Sequence, residues 1–113
     1  MVEPKHEQLA RKMLGAYEAK DIEFIASLFS SDVLLRDWNH EVVGRTAAIR
    51  EFTKNFEEAQ QLSIKVLRIF GSDAGVAAEV EIVVNNSEVL RVMDVISFNV
   101  DSKITSIISY KGL

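Results

Sequence analysis

The sequence predicts an α+β fold in which helices come first and a curved antiparallel sheet follows. In the first half of the chain, apolar residues recur at three- and four-residue steps, which is typical of amphipathic helices. From Leu62 onward the apolar residues form strand-length segments separated by turn residues. Long strands twist, so helices that cover one face of such a sheet enclose a concave space. We expect the functional site in that space.

Composition indicates an ordinary globular protein. The chain has 113 residues, of which 48% are apolar and 27% charged, and this length predicts one domain over residues 1–113. A formal net charge of −4 disfavours a nucleic-acid partner. No segment approaches the roughly 20 apolar residues that cross a bilayer, and residues 1–8 lack a signal-peptide core. We therefore expect a soluble cytoplasmic protein with no membrane partner.

The residue types also exclude several kinds of chemistry. Cysteine is absent, which removes disulfides, thiol nucleophiles, iron–sulfur clusters and thiolate zinc sites. His6 and His40 are far apart in the sequence and do not suggest a transition-metal site. The chain has no glycine-rich phosphate loop and no nucleophile elbow. We expect neither a metal nor a cofactor.

Three helices are predicted in the first half of the chain. Pro4 suits the first turn of the first helix, where a missing N–H costs nothing. Asp21 and Thr46 are the expected N-caps of the second and third helices. The second helix ends near residues 30–32, and the third runs over residues 47–58. The residues expected to face the core are Leu9, Met13, Ala16, Tyr17, Ile22, Ile25, Phe29, Ile49, Phe52 and Phe56.

The strands are predicted as a short edge strand and a four-strand meander. The edge strand covers residues 33–38 and is followed by a polar loop at residues 39–41. The meander covers residues 62–70, 76–84, 89–98 and 104–110. A two-residue turn after residue 84 would place Glu79 and Glu81 beside Asp94, whereas a three-residue turn through Ser87 would place Ala78 there. We predict the three-residue turn, because an apolar pocket is incompatible with two further carboxylates.

Asp94 is the first candidate functional residue, because strand parity places it on an apolar face. Its neighbours on that face are Leu90, Val92, Ile96 and Phe98. The opposite face, with Val89, Arg91, Met93, Val95 and Ser97, is also partly apolar, so parity alone does not fix which face is inside. A buried ionised carboxylate costs several kcal/mol unless it is paired. It escapes this cost by staying protonated or by pairing with a cation such as Arg36 or Arg91. The ordinary interpretation is an arginine-paired aspartate at a sheet edge, and the functional one is a protonated acid.

Asp37 is the second candidate, because it lies where a strand runs into a loop, a common place for working side chains. The ordinary interpretation is a solvated strand-end aspartate. The functional interpretation pairs it with Asp94, since two carboxylates in contrasting environments can divide into a base and an acid. His40, in the same loop, is either solvated or an acid–base group over the mouth of the pocket. Arg50-Glu51 and Glu57-Glu58 are interpreted as a solvated helix face.

With these residues identified, nearly the whole chain resembles the ketosteroid isomerase-like, SnoaL-like branch of the nuclear transport factor 2-like superfamily. The most specific segments are residues 44–52, Gly-Arg-Thr-Ala-Ala-Ile-Arg-Glu-Phe, and residues 94–99, Asp-Val-Ile-Ser-Phe-Asn. The resemblance implies a cone-shaped, cystatin-like fold whose curved sheet wraps around the N-terminal helices and encloses a pocket for a small hydrophobic ligand. It also implies a homodimer through the outer sheet face, where we expect Met93, Val95 and Ile107 to be exposed.

The same resemblance implies catalytic roles. Asp37 matches the general base of the isomerases, and Asp94 matches the protonated acid of their oxyanion hole. The implied activity is that of a steroid delta-isomerase-like enzyme, a cofactor-independent proton transfer on a small hydrophobic ketone or enone. Met13 replaces the oxyanion-hole tyrosine of the isomerases, so Tyr17, one turn further along the helix, is the candidate second donor. The residues expected to line the pocket are Met13, Trp38, Phe52, Phe56, Val92 and Phe98.

Two other functions stay open at this point. The loss of a hydrogen-bond donor at Met13 favours a noncatalytic ligand-binding or dimerisation module. A SnoaL-like polyketide cyclase would use the same acid–base chemistry to close a ring. The sequence therefore leaves open whether the chain is an enzyme and which ligand it binds.

Overall fold

The helices and strands of the computed structural model, which describes residues 4–112, follow the predicted α+β order. The helices are α1 (Lys5–Glu18), α2 (Ile22–Leu28) and α3 (Arg45–Glu58). The strands are β1 (Phe29–Arg36), β2 (Glu41–Val43), β3 (Leu62–Gly71), β4 (Gly75–Val84), β5 (Glu88–Phe98) and β6 (Ile104–Lys111). No helix within the described range is both long and apolar enough to cross a membrane.

The six strands form one sheet in the order β2-β1-β6-β5-β4-β3. Strands β3 to β6 form the predicted antiparallel meander. Strand β1 lies beside β6 but runs parallel to it, which differs from the expectation of an antiparallel sheet. The connection from β1 to β6 passes through α3 and four strands, so no tight turn forces them to be antiparallel. The predicted loop at residues 39–41 is partly wrong, since Glu41 begins β2 and pairs with Arg36.

Two helix boundaries also differ from the prediction. Asp21 caps α2 as expected, because its side chain accepts a hydrogen bond from the Phe24 N–H at 3.2 Å. That helix nevertheless ends at Leu28, and Phe29 is an extended residue that begins β1. Helix α3 begins at Arg45, with Gly44 rather than Thr46 as its N-cap. Gly44 has φ = 101°, a conformation that favours glycine.

The turn between β4 and β5 has the predicted three residues, Asn85 to Ser87. Asn85 and Asn86 have φ values of 53° and 58°, which asparagine tolerates better than most residues. This turn places Ala78 directly opposite Asp94. The prediction that apolar residues of β4 share the inner face with Asp94 is therefore confirmed.

The sheet curves because its pairing is interrupted at bulges. One lies between Val66 and Arg68 on β3, and another shifts β6 at Thr105, where Ser97 pairs with Ser106 but Phe98 with Ile104. Helix α1 packs across β3 and β4, and α3 packs against β1 and β2. The main core lies between these helices and the concave face and includes Ala10, Met13, Leu14, Ile25, Phe29, Phe52, Val80, Val92, Ile96 and Ile104.

The bulge in β6 overturns one expectation about the outer face. In a regular strand, side chains alternate between the two faces, so Ile107, three residues after the buried Ile104, would lie on the outer face. The extra residue at Thr105 reverses this alternation, so Ile107 is only 3% exposed and faces the core. Met93 and Val95 remain half-buried on the opposite face of the sheet from Asp94.

Candidate active site

A cavity of about 470 Å³ lies between the helices and the concave face of the sheet. Residues from α1, α3 and all strands except β2 contribute to its wall. Among its apolar lining residues are Met13, Leu35, Phe52, Ile82, Leu90, Val92 and Ile107. Its polar lining residues that are buried or half-buried are Tyr17, Asp37, Glu51, Asn55, Asp94 and Ser109. Mostly apolar walls with a few convergent polar groups are typical of small-molecule sites.

Asp94 is the buried carboxyl of this cavity, with 7% of its surface exposed. Burial raises its pKa to about 6, and a hydrogen bond from Ser109 opposes this rise. In that bond Ser109 Oγ donates to Asp94 Oδ1 at 2.5 Å. The two arginines considered as partners are bound elsewhere, Arg36 to Glu41 and Arg91 to Glu81. The interpretation of Asp94 as an arginine-paired residue is therefore wrong.

Asp37 lies directly after β1, in the turn of the β1–β2 hairpin, and lines the same cavity. Its Oδ1 accepts hydrogen bonds from the backbone N–H groups of Asn39 and His40, both at 2.7 Å. Such a turn is the usual local bonding pattern of aspartate. The side chain is 32% exposed, so Asp37 is held at the cavity wall rather than fully solvated. The two aspartates thus face one cavity from environments of unlike burial.

Tyr17 lies one turn after Met13 on α1 and contributes a hydroxyl group to the cavity. Its Oη accepts a hydrogen bond from Asn55 Nδ2 at 3.3 Å, which leaves the hydroxyl hydrogen as a donor. Burial raises the pKa of Tyr17, the Asn55 hydrogen bond opposes the rise, and the negative charges of Asp94, Asp37 and Glu51 add to it. The hydroxyl therefore stays protonated within the field of the two aspartates.

Only some of the residues predicted to line the pocket lie at the cavity. Met13, Phe52 and Val92 line the cavity, whereas Trp38, Phe56 and Phe98 do not, so the prediction needs correction at those three. Trp38 follows Asp37 and points the other way; it is 43% exposed and faces the Lys111 ammonium group 5.7 Å from its ring centroid.

The other two aromatic residues are structural. Phe56 lies against the Tyr17 ring, with centroids 4.8 Å apart, and supports the tyrosine from behind. Phe98 stacks on His6 at 4.3 Å at a distance from the cavity wall. Both side chains belong to the packing around the site.

Sequence reasoning missed six polar lining residues: the exposed Glu58, Asn85 and Glu88, and the half-buried Glu51, Asn55 and Ser109. Glu51 was interpreted as a solvated residue, but its side chain is only 16% exposed and lines the cavity. Asn55, four residues later, lies on the same face of α3. The four-residue spacing of Glu51 and Asn55, next to the core residue Phe52, could have indicated that both side chains face the cavity. Ser109 carried no signal, because only the bulge in β6 turns it inward.

His40 lies between two carboxylates of the cavity lining. Its Nδ1 is 3.7 Å from Asp37 Oδ1 and 3.6 Å from Glu51 Oε1. The imidazole can therefore balance the negative charge of these carboxylates when it is protonated. Between residues 4 and 112, no group of three or more His, Asp or Glu side chains is arranged to hold a metal ion.

The arrangement is a mostly apolar cavity with acid–base groups on its wall, which is typical of small-molecule sites. The sequence matches the SnoaL-like domain family over residues 10–107. The chain belongs to this family, as the sequence resemblance predicted. No curated protein matches the sequence.

Solved structures agree in fold. A SnoaL-like protein of unknown function from Burkholderia thailandensis is 12% identical, with a TM-score of 0.86, and the match covers 100% of this chain and 99% of that one. A protein assigned as a SnoaL-like polyketide cyclase from Shewanella putrefaciens is 11% identical, with a TM-score of 0.84 and coverage of 96% and 80%. A protein assigned as a ketosteroid isomerase from Kribbella flavida is 18% identical, with a TM-score of 0.82 and coverage of 94% and 76%. At these identities the likeness establishes the fold alone.

Proposed function

We propose that this protein is a cofactor-independent enzyme that moves a proton on a small hydrophobic ketone or enone. Asp37 acts as the general base and removes a proton next to the carbonyl group. Asp94, in its protonated form, donates a hydrogen bond to the oxygen on which the enolate charge develops. The observation that carries this proposal is that two carboxyl groups of unlike burial line one mostly apolar cavity.

The surroundings of Asp94 support its role as an acid. With a pKa of about 6, about a tenth of the free molecules hold the proton at pH 7, and about half hold it at pH 6. A ligand that displaces water and brings a developing oxyanion favours the protonated form further. Since Ser109 donates to Oδ1, the acidic proton belongs on the other carboxyl oxygen, which is then the donor.

Tyr17 supports the same step as a second hydrogen-bond donor. Met13, at the position of the tyrosine in the isomerases, has no donor group. The Tyr17 hydroxyl lies in the same cavity, burial raises its pKa so that it keeps its hydrogen, and that hydrogen is free to donate because Asn55 donates to the hydroxyl oxygen. Removal of one such donor costs about 10²–10³ in turnover in known enzymes, so Tyr17→Phe should slow the reaction without abolishing it.

Proton exchange from deuterated water into a panel of ketones, followed by NMR, tests the proposal. We expect Asp37→Asn to lower the exchange rate by about 100-fold or more. Asp73→Asn is the matched control, because Asp73 is an exposed residue in the β3–β4 turn and should leave the rate unchanged. Equal background rates for the wild type and Asp37→Asn would contradict the catalytic proposal.

Met13 favours a second candidate, a binding module that holds the same kind of ligand without reaction. In that case the wild type and Asp37→Asn bind the ketones equally well, and neither protein accelerates the exchange of their protons. A polyketide cyclase of the SnoaL-like type would instead show exchange together with ring closure of a poly-β-ketone substrate. The exchange assay and a binding measurement on the same ketones separate these outcomes.

The outer sheet face suggests a homodimer, which we include in the proposal. Met93 and Val95 are half-buried there, and Tyr110 is 59% exposed. We expect a dimer in sedimentation velocity at high micromolar concentration. Met93→Lys should weaken it, whereas Val100→Lys, in the exposed turn after β5, should not. A monomer at these concentrations would contradict the dimer.

A further inference from the structure

We propose that the cavity selects its ligand by charge: it accepts apolar molecules that are uncharged or carry a protonated amine, and it excludes carboxylates and phosphates. This inference rests on the proposed role of the cavity as a ligand site. Five acidic side chains line it, namely Asp37, Glu51, Glu58, Glu88 and Asp94. Among residues 4–112, none of those lining it is Lys, Arg or His.

The nearby basic side chains are engaged outside the cavity. Arg91 lies 3.7 Å from Glu81, and Arg68 pairs with Glu79 at 2.8 Å, and neither pair lines the cavity. Lys20 donates to the backbone carbonyl oxygens of residues 56, 59 and 60. His40 does not line the cavity and lies between two of its carboxylates, 3.7 Å from Asp37 and 3.6 Å from Glu51. The negative charge of the lining is therefore not balanced by an arginine or lysine that a ligand anion could share.

Tyr17 reports the sign of the electrostatic potential inside the cavity. After burial, the charges of Asp94, Asp37 and Glu51 are what raise the pKa of its hydroxyl group. These charges penalise any anion at the Tyr17 oxygen, whether a phenolate or a ligand carboxylate. Because Asp94 is buried, salt screens its part of this penalty less than it would on the surface.

The same field is compatible with an enolate formed during proton transfer. When Asp37 accepts a proton, its own negative charge disappears as the ligand oxygen becomes negative. The protonated Asp94 then donates to that oxygen, so the net charge of the cavity does not change. A ligand with a permanent carboxylate or phosphate adds a charge that nothing in the lining offsets.

Three probes that share one ring system test the inference: 2-acetylnaphthalene, 2-naphthylmethylammonium and 2-naphthoate. Their affinities are measured by NMR titration of the wild-type protein at about pH 8, where Asp94 is ionised. We expect the ketone and the ammonium to bind, with the ammonium at least as tight as the ketone, and naphthoate to bind about tenfold more weakly than the ketone or worse. Naphthoate that binds as tightly as the ketone overturns the inference, and so does the absence of binding by all three probes.

Two matched variants locate the effect. Glu51→Gln removes a lining charge and should bring naphthoate closer to the ketone in affinity by severalfold. Glu81→Gln removes a charge on the opposite face of the sheet, where Glu81 pairs with Arg91. It should leave the ratio of ketone affinity to naphthoate affinity unchanged. Equal ratios in both variants and the wild type overturn the inference. Binding needs no proton transfer, so failure of the exchange assay and failure of charge selection are separate results.

Discussion

Asp94 is the residue whose burial couples folding stability to pH. Its folded pKa of about 6 lies above the ordinary value of 3.8, so the unfolded chain releases this proton at lower pH than the folded protein. The stability associated with the protonated form is fully present below about pH 4 and is lost as the pH rises through 6. A shift of this size corresponds to a loss on the order of 3 kcal/mol between these limits.

Asp94→Asn should remove this dependence, because an amide does not ionise. We expect its free energy of unfolding, relative to the wild type, to rise by about 2–3 kcal/mol between pH 4 and pH 8. Urea denaturation at both pH values measures this difference. Asp73→Asn, at an exposed position, is the control and should show no comparable change. A parallel pH dependence in Asp94→Asn and the wild type would contradict the assigned burial.

Ser109 is the residue that limits the rise in the Asp94 pKa, because its hydroxyl donates to the carboxylate. Ser109→Ala removes this bond, so we expect the pKa of Asp94 to move above 6. Carboxyl-carbon NMR titration of the labelled protein measures it directly. Ser106→Ala is a suitable control, since Ser106 lies on the same strand but pairs with Ser97 rather than with Asp94. A pKa that falls in Ser109→Ala would refute the hydrogen-bond assignment.

At the scale of the secondary-structure elements, two glycines have opposite roles. Gly15 lies inside α1 with no atom within 4 Å of an added Cβ, whereas Gly44 caps α3 with φ = 101°. Gly15→Ala should stabilise the protein by about 0.5–1 kcal/mol, because alanine costs less backbone entropy in a helix. Gly44→Ala should destabilise it by about 1–3 kcal/mol, since an L-residue is strained there. Thermal denaturation of both variants checks the signs, and stabilisation by Gly44→Ala would contradict the cap.

The bulge in β6 shows how an element determines the site. It places Ser109 opposite Asp94 and turns Ile107 toward the core. Without the extra residue at Thr105, the strand would present the opposite set of side chains to the cavity. The hydrogen bond to Asp94 therefore depends on an irregularity several residues away.

At the scale of the whole molecule, Lys20 joins the α1–α2 turn to the end of α3. Its ammonium group donates to the carbonyl oxygen of Phe56 at 3.0 Å and also to that of Ala59. Carbonyl groups at a helix C-terminus bind cations favourably. Lys20→Met keeps most of the aliphatic side chain but loses these bonds, so we expect a loss of about 1–2 kcal/mol in chemical denaturation.

Lys12→Met is the control for this prediction, because Lys12 is exposed on α1 and should change stability by less than about 0.5 kcal/mol. Equal effects of the two substitutions would show that Lys20 does not join these elements. Ala59 also lines the cavity. Lys20→Met loosens the C-terminal end of α3 that carries Ala59, so it should weaken ligand binding as well.

The sequence by itself determined the order of the elements, the turn at residues 85–87 and the two aspartates of the cavity. The order of the elements and the candidate Asp94 depend on local signals: the difference between helical and strand periodicity, and a charged residue within an apolar strand face. The length of the turn followed from a pairing argument, because only a three-residue turn keeps Glu79 and Glu81 away from Asp94.

Only the tertiary structure decided which other side chains meet the aspartates. Ser109 faces Asp94 because β6 is bulged against β5, and Glu51 and Asn55 reach the cavity because Phe52 and Phe56 fix the rotation of α3. Trp38 faces Lys111 and Phe98 stacks on His6, outside the cavity lining, for the same kind of reason. Alternation along a strand and orientation around a helix hold only relative to a packing partner, and the partner is chosen by contacts between residues distant in sequence.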